Sequence, residues 1–495
     1  MWVNRVKSSV CVASGLFYSY RQQLAVKVIS KNEAVSHIAK NEKVSRKFLY
    51  QQKNIAQNAF NQAFEKKEKH EEVLYYLPVT KKWIFQLILG LIFICHSSYR
   101  GLVELLRDLF DYTISIGTVH NRVKEVVPVA KKISKSVDLS SIKVASLDEI
   151  FHSNRPILTG VDNHSSYCFL LEEAQHRDED TWGWHLLEAT EQGFDPNYTI
   201  ADAGKGIRAA HKAIWSNKVC QGDVWHILDQ ATTLCRSLIK KAQGATTERE
   251  KLEAKMEKGN LGIISGSLSN KLSKAIKNEH KWLKLADDIK ILVYWLRMDI
   301  LCLAGASWSE RMELMNFVID ELLIRETKAH KGIKALTVAL SNQKDDLLAF
   351  AKMIDKKLAE IAFRLKIPLS WVREICLLRK KPLSTNKYWQ KWNQLHQKLS
   401  HKFWSINQAV EEALESTPRA SSLVENLNSR LRNYFHLRKH LGSDYLELLQ
   451  FFLNYRRFME SRKPERVGKS PAELMTGEKH QHWLEMLGFE RFQRA

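Results

Sequence analysis

The stretch KVASLDEIFHSNRPILTGVDNHSSYCFLL, residues 143–171, breaks with the helical periodicity of the residues before it. It holds three short runs rich in β-branched and apolar residues: 143–148 (KVASLD), 156–161 (PILTGV) and 166–171 (SYCFLL). The last two are joined by Asp162-Asn163-His164-Ser165, a cluster of turn-forming side chains. Three short strands this close in sequence predict an antiparallel meander. The first run ends in Asp148, with Glu149 directly after it, and the second ends at Asp162. Neighbouring strand residues point to opposite faces, so Asp148 and Glu149 cannot both enter one site. Asp148 is the favoured acid, and Asp162 stands as the alternative.

Working outward toward the C-terminus, the pattern predicts a helix over 178–192 and a fourth strand ending at Asp202. Gly204 and Gly206 flank Lys205 just beyond it, ahead of a helix over 207–216 that presents Arg208, His211 and Lys212. A backbone turn at a helix start beside a carboxylate can hold a phosphate. A fifth strand over 218–221 leads into Gly222-Asp223-Val224-Trp225-His226, where Asp223 and His226 stand three apart and can share a helix face.

Residues 229–415 show almost no strand signal and only two prolines, Pro368 and Pro382, which predicts a large helical block. Within it 248–258 reads as a charged helix and 260–269 (NLGIISGSLS) as a loop. Trp389, Trp392 and Trp404 read first as core; the second reading is a platform for an unpaired base. Thr417-Pro418-Arg419 then interrupts the chain, and Ser421 or Ser422 is placed to cap the next helix. On that helix Glu425, Asn428 and Arg432 fall at i, i+3 and i+7 and share one face, with Arg430, Arg438, Lys439 and His440 adding positive charge. An amphipathic helix over 445–458 follows, and Ser470-Pro471 opens another.

Toward the N-terminus, residues 21–57 read as three short helices, with Ser45 capping the third. That third helix carries Arg46, Lys47, Tyr50, Gln51, Gln52 and Lys53, a set able to reach base edges and phosphates as a helix-turn-helix recognition helix does. A second unit repeats the plan: an apolar helix over 83–95, a helix over 98–110 and a third over 119–127 that carries Asn121, Arg122 and Lys124 and stops at Pro128. The charged run 64–72 between the units reads as a solvated helix or linker. The apolar patch at 10–17 reads as a leader to the first helix.

At 495 residues the chain is long enough for several cores, and its formal charge of +21 favours a polyanionic partner, because each neutralised phosphate releases counterions. A content of 44% hydrophobic residues with 14 Trp argues for extended folded cores and against a basic tail protein. Seven scattered cysteines suit reduced thiols and a cytosolic setting rather than a disulfide framework. The thirteen-residue run 83–95 (WIFQLILGLIFIC) falls short of the roughly 20 residues needed to span a bilayer, so no membrane partner is expected.

The order SLDEIF, IADAGKGIRAAHKAIW, CQGDVWH, a long helical segment, and SSLVENLNSRLRNYFHLR resembles the DDE-type transposases of bacterial insertion sequences. In style it is similar to the Mutator and hAT groups, which carry a helical insert before the last acid and a C/D-x-x-H motif after the second. The resemblance covers about residues 143–478, and the tail 462–474 also resembles the segment beyond the last acid. It implies an α+β chain: an all-helical helix-turn-helix region, then a ribonuclease-H-like mixed-sheet core interrupted by an all-α insertion. The expected divisions are 1–75 and 76–137 (helix-turn-helix domains), 138–230 (core, first part), 231–415 (insertion) and 416–495 (core, second part, and tail). Asp148, Asp202 and Glu425 become the catalytic, metal-binding acids, and Asp223 and His226 the supporting pair. Lys205, Arg208, Asn428 and Arg432 join Arg46, Lys47, Gln51, Lys53, Asn121, Arg122 and Lys124 as DNA-binding residues. Two Mg²⁺ ions, or Mn²⁺, are the expected cofactor, and double-stranded DNA (terminal inverted repeats and target) and a second copy of the chain the expected partners. An integrase-like nuclease and a non-catalytic DNA-binding regulator are the alternatives.

Overall fold

The computed structural model describes residues 15–64, 77–258, 266–326 and 330–491. Two compact units divide at Pro78/Val79. The apolar patch at 10–17 and the charged run at 64–72 lie largely outside the described residues.

The first unit is a three-helix cluster: α1 (Tyr18–Ile29), α2 (Val35–Asn41) and α3 (Arg46–Phe64). Leu24, Val28, Ile38, Val44 and Leu49 close its core. Ser45 caps α3 by accepting from the Phe48 amide at 3.1 Å, as the sequence predicts. Glu42 ties the turn to α1, accepting from Lys27 Nζ at 2.8 Å and from the Tyr20 hydroxyl. The third helix is longer than expected, running 19 residues to Phe64 because no Gly or Pro stops it at 57.

In the second unit α4 (Lys81–Phe93), α5 (Tyr99–Phe110) and α6 (Ile116–Lys135) are capped by Thr80, Ser98 and Ser115. The expected stop at Pro128 does not occur: α6 opens three residues early and runs on to Lys135. Val119, Val123, Val126, Val127 and Ala130 form one buried face spanning the proline. That burial outweighs the single backbone hydrogen bond that Pro128 removes.

A five-stranded mixed sheet follows, in the order β3-β2-β1-β4-β5. β1 (Val144–His152) and β2 (Arg155–Asp162) form an antiparallel hairpin, whose turn residues Ser153 and Asn154 both have positive φ. β3 (Cys168–Glu173) pairs antiparallel with β2, while β4 (Tyr198–Ala201) and β5 (Val219–Gly222) run parallel to β1. The edge at β3 is covered by α18 (Ser443–Tyr455), where Asn454 both donates to and accepts from the Cys168 backbone at 2.8 Å. α7 (Glu179–Glu191) and α8 (Lys205–Ile214) pack together, and α17 (Ser422–Phe435) packs on β1 and β2. One apolar core runs without a break from α4–α6 through the sheet to α17 and α18. The hydroxyl of Tyr434 on α17 donates to the Phe93 carbonyl of α4 at 2.8 Å.

Between β5 and α17 lies an all-helical block: α9 (Val224–Lys258), α10 (Gly266–Trp295), α11 (Trp308–Ile324), α12 (Lys331–Leu347), α13 (Ala349–Leu365), α14 (Leu369–Leu378), α15 (Asn386–Leu399) and α16 (Phe403–Glu415). It has a core of its own. The loop expected at 260–269 lies partly outside the described residues, and its last four open α10. The block meets the sheet at β5, where Gln221 Nε2 donates to the Leu347 carbonyl at 3.2 Å. Trp392 sits amid Trp389, His396, Phe403 and Trp404, so this cluster is chiefly mutual packing, although Trp389 and Trp404 keep exposed faces. Two short helices, α19 (Pro471–Thr476) and α20 (Trp483–Met486), close the chain. Among the described residues no helix is long and apolar enough to cross a membrane.

Candidate metal centre

Asp148 sits in mid-strand on β1, 7% exposed. One carboxylate oxygen accepts from the Glu149 amide at 2.8 Å and the other from Asn428 Nδ2 at 2.7 Å. The strand alternation holds: Glu149 turns the other way and accepts from Trp182 Nε1 and Arg177 Nη1, each at 3.0 Å. Asp162, the alternative first acid, closes the turn after β2, accepting from the His164 amide at 3.2 Å and the Ser165 amide at 2.8 Å. It stands apart from the acid cluster.

The parallel register pairs Leu147 with Ala201, which sets Asp202 beside Asp148 at the end of β4. Asp202 accepts from the Gly204 amide at 2.8 Å and its carbonyl accepts from Arg208 Nε at 2.7 Å. On the other strand end, the Asp223 amide extends the β4–β5 ladder by donating to the Ala201 carbonyl at 3.0 Å. Its buried carboxylate accepts from the Trp225 amide at 2.8 Å and from the Ser421 hydroxyl. The expected side-chain cap from Ser421 or Ser422 is therefore not formed; Ser421 instead ties the start of α17 to the residue that follows β5.

These ties bring three elements to one point. A ligand atom each from Asp148 on β1, His226 on α9 and Glu425 on α17 lies within 4.8 Å of the other two. His226 Nε2 is 3.4 Å from Glu425 and 3.7 Å from Asp223. Burial is the main force that pushes the Asp148 carboxyl up to about 7; the Glu149 amide opposes it, and the charges of Glu425 and Asp202 add to it. An anionic pocket of this kind favours a cation. Two buried atoms of these residues, Asn428 Oδ1 and His226 Nε2, lack a hydrogen-bond partner among the described residues. The donor set of two carboxylates and an imidazole fits a divalent ion: the carboxylates suit hard ions such as Mg²⁺ or Mn²⁺, and the imidazole adds a nitrogen ligand to them.

Sequence reasoning thus places Asp148 and Glu425 together, while His226 stands in the ligand group rather than behind it, and Asp202 adjoins it outside the 4.8 Å group. Asn428 is buried and holds Asp148, so it is not offered to solvent. Arg208 is spent internally on the Asp202 and Ala201 carbonyls and on Asp346 of α12. Lys205 and Arg432 are exposed. On α3, Arg46, Lys47 and Gln51 are exposed and Lys53 is half-buried. On α6, Asn121 is exposed, Arg122 pairs with Glu125 at 2.9 Å and Lys124 with Asp444 at 3.2 Å, surface pairs weak enough to exchange for phosphate. The Ser421 link was missed because a serine before a helix ordinarily reads as its cap.

Compared with known proteins, the chain matches no family model and no curated protein sequence.

Proposed function

We propose that the chain is a DDE-type transposase: a DNA-binding enzyme that cuts and joins DNA strands at the ends of a mobile element, with a ribonuclease-H-like core. The observation that carries this reading is the convergence of an acid in the middle of β1, an acid just past β4 and a carboxylate on the helix that follows a large insertion. The sheet order β3-β2-β1-β4-β5, with β1–β3 antiparallel and β4 and β5 parallel to β1, supports it. The exposed basic face of α3 and the charge of +21 support duplex DNA as partner.

Asp148, His226 and Glu425 would hold a divalent ion, Mg²⁺ or Mn²⁺, with Asp202 at its side. Bound there, such an ion supplies an activated water and stabilises charge on the attacking and leaving oxygens of phosphoryl transfer, most fully when two ions stand about 4 Å apart. Asn428 fixes the Asp148 carboxylate, and Asp223 with Ser421 sets the distance between α9 and α17. In the reaction water attacks a phosphodiester and its 3′ oxygen leaves as a hydroxyl; that hydroxyl then attacks a phosphodiester of target DNA, whose own 3′ oxygen is the leaving group. A pair of copies would bring two ends together, in the cytosol where the DNA lies.

The test is cleavage and joining of DNA carrying the sequences that flank the coding region, with Mg²⁺ and with Mn²⁺, by the wild type and Asp202→Ala. Cleavage and joining by the wild type, with binding alone by the variant, supports the reading. Binding without cleavage by both makes the chain a DNA-binding regulator, and cleavage without joining makes it a nuclease.

A further inference from the structure

A cavity of about 830 Å³ opens between α17, the end of α18 and the segment 456–467. Ser422, Asn426 and Arg430, four apart on α17, face it. At 3.6 residues per turn they lie on the side of that helix roughly opposite Glu425, Asn428 and Arg432. The cavity is therefore distinct from the metal centre, though one helix builds both.

Its lining is strongly cationic: Arg430, Arg456, Arg457, Arg462, Lys463 and Arg466, against Glu460 alone among acids. Arg457 is neutralised by Glu473 at 2.8 Å, and Arg466 is held by Ser166 Oγ at 3.1 Å and the His164 carbonyl. Among the described residues no carboxylate pairs with Arg430, Arg456, Arg462 or Lys463. Arg430 is the telling member, since it is half-buried and the charge of Arg456 acting on it is of like sign. A desolvated guanidinium without a counter-ion is costly, and an anion from outside removes that cost.

The rest of the lining selects among anions. Leu423, Leu427, Leu453, Phe458 and Met459 give it apolar walls, and Met459 is 82% exposed. Pockets of roughly 300–1,000 Å³ enclose one drug-sized ligand. This space therefore exceeds a lone phosphate, suits one or two nucleotides with their bases on the apolar wall, and is too small for a duplex. A second cavity of about 600 Å³ shares Asn163, Pro418 and Lys463 with it, but there Lys143, Lys356 and Lys357 are matched by Asp162, Glu360 and Glu415, so the strongly cationic lining belongs to the first cavity.

We propose that this cavity binds an unpaired DNA strand, with phosphates on Arg430 and Arg456 and bases against the apolar wall. The inference rests on the reading of the protein as a DNA-strand-processing enzyme, and identifies where a strand separated from the duplex is held.

The experiment measures binding of the full chain to labelled oligothymidylate and to a duplex of equal length across salt concentrations. It compares the wild type, Arg430→Ala/Arg456→Ala and Arg430→Lys/Arg456→Lys. For single strands log K falls with log salt with a slope of about −0.7 per phosphate contact, so the alanine pair should flatten it by about 1.4. We expect that loss for the single strand, little change for the duplex, and recovery of the slope in the lysine pair. An unchanged slope overturns the proposal, as does failure of the lysine pair to restore it, which marks the two arginines as structural. Inorganic phosphate that binds the wild type and not the alanine pair, while oligothymidylate binding is the same in both, also overturns it, in favour of a small-anion site. A charge-dependent slope in a protein that never cleaves DNA keeps the cavity and removes the transposase reading; cleavage with an unchanged slope does the reverse.

Discussion

Replacing Asp148 by asparagine should make the metal-free protein more stable at alkaline pH and at the same time abolish its response to metal. The Asp148 carboxyl titrates near 7 against an ordinary 3.8. A rise of about 3 in pKa corresponds to about 4 kcal/mol spent to ionise the acid within the fold. The sign follows from proton counting: between 3.8 and about 7 the folded protein binds the proton that the unfolded chain has lost, so stability falls as pH rises through that interval. The penalty is absent below about pH 4 and complete above about 7. Asparagine removes it, but the amide of Asn428 then faces a neutral acceptor in place of a carboxylate, which returns about 1–2 kcal/mol. The expected net gain is about 2–3 kcal/mol at pH 8. Thermal unfolding in EDTA at pH 8 should show the Asp148→Asn variant melting above wild type, with the difference fading toward pH 4. Added Mn²⁺ at about 100 times its Kd should stabilise the wild type by about 2.7 kcal/mol and the variant by much less. If the variant melts below wild type at pH 8 in EDTA, Asp148 is a structural acceptor; if Mn²⁺ stabilises both alike, the ion binds elsewhere.

Glu425→Gln keeps the shape of α17 but removes one of the three ligand groups, and should abolish Mn²⁺-dependent strand cleavage while gel-shift binding of duplex DNA stays within about twofold. Ser421→Ala frees the Asp223 carboxylate and loosens the link between β5 and α17; metal affinity measured by titration calorimetry should drop by about 10–100-fold, with far-UV circular dichroism unchanged. Gly206→Ala would set a Cβ 2.1 Å from the Arg177 carbonyl oxygen, forcing α7 and α8 apart, and should lower stability by about 1–3 kcal/mol in urea unfolding. Leu49→Ala empties the fully buried centre of the three-helix unit, costs about 2–5 kcal/mol there, and should weaken duplex binding while leaving the Mn²⁺ response of the metal centre intact.

The sequence alone determined the elements that local chemistry dictates. The short apolar runs over 143–171 announced three strands, the Ser45 hydroxyl stood at a real helix start, and the absence of strand signal over 229–415 announced the helical block. The two-residue period also separated Asp148 from Glu149 correctly, because a pleated strand offers its faces in strict turn. Other features depend on residues far apart in the chain, and a linear pattern carries no record of them. Pro128 reads as a stop, yet the buried valines before it and Ala130 after it draw α6 through it into the shared core beside α18. Ser421 reads as a cap until β5 brings Asp223 within reach, 198 positions away. Asn428 and Arg208 read as free polar groups until folding sets them against Asp148 and Asp346. The acids themselves were legible one by one; their meeting with His226 was decided by the parallel register of β1 with β4 and by the packing of α17 across the sheet.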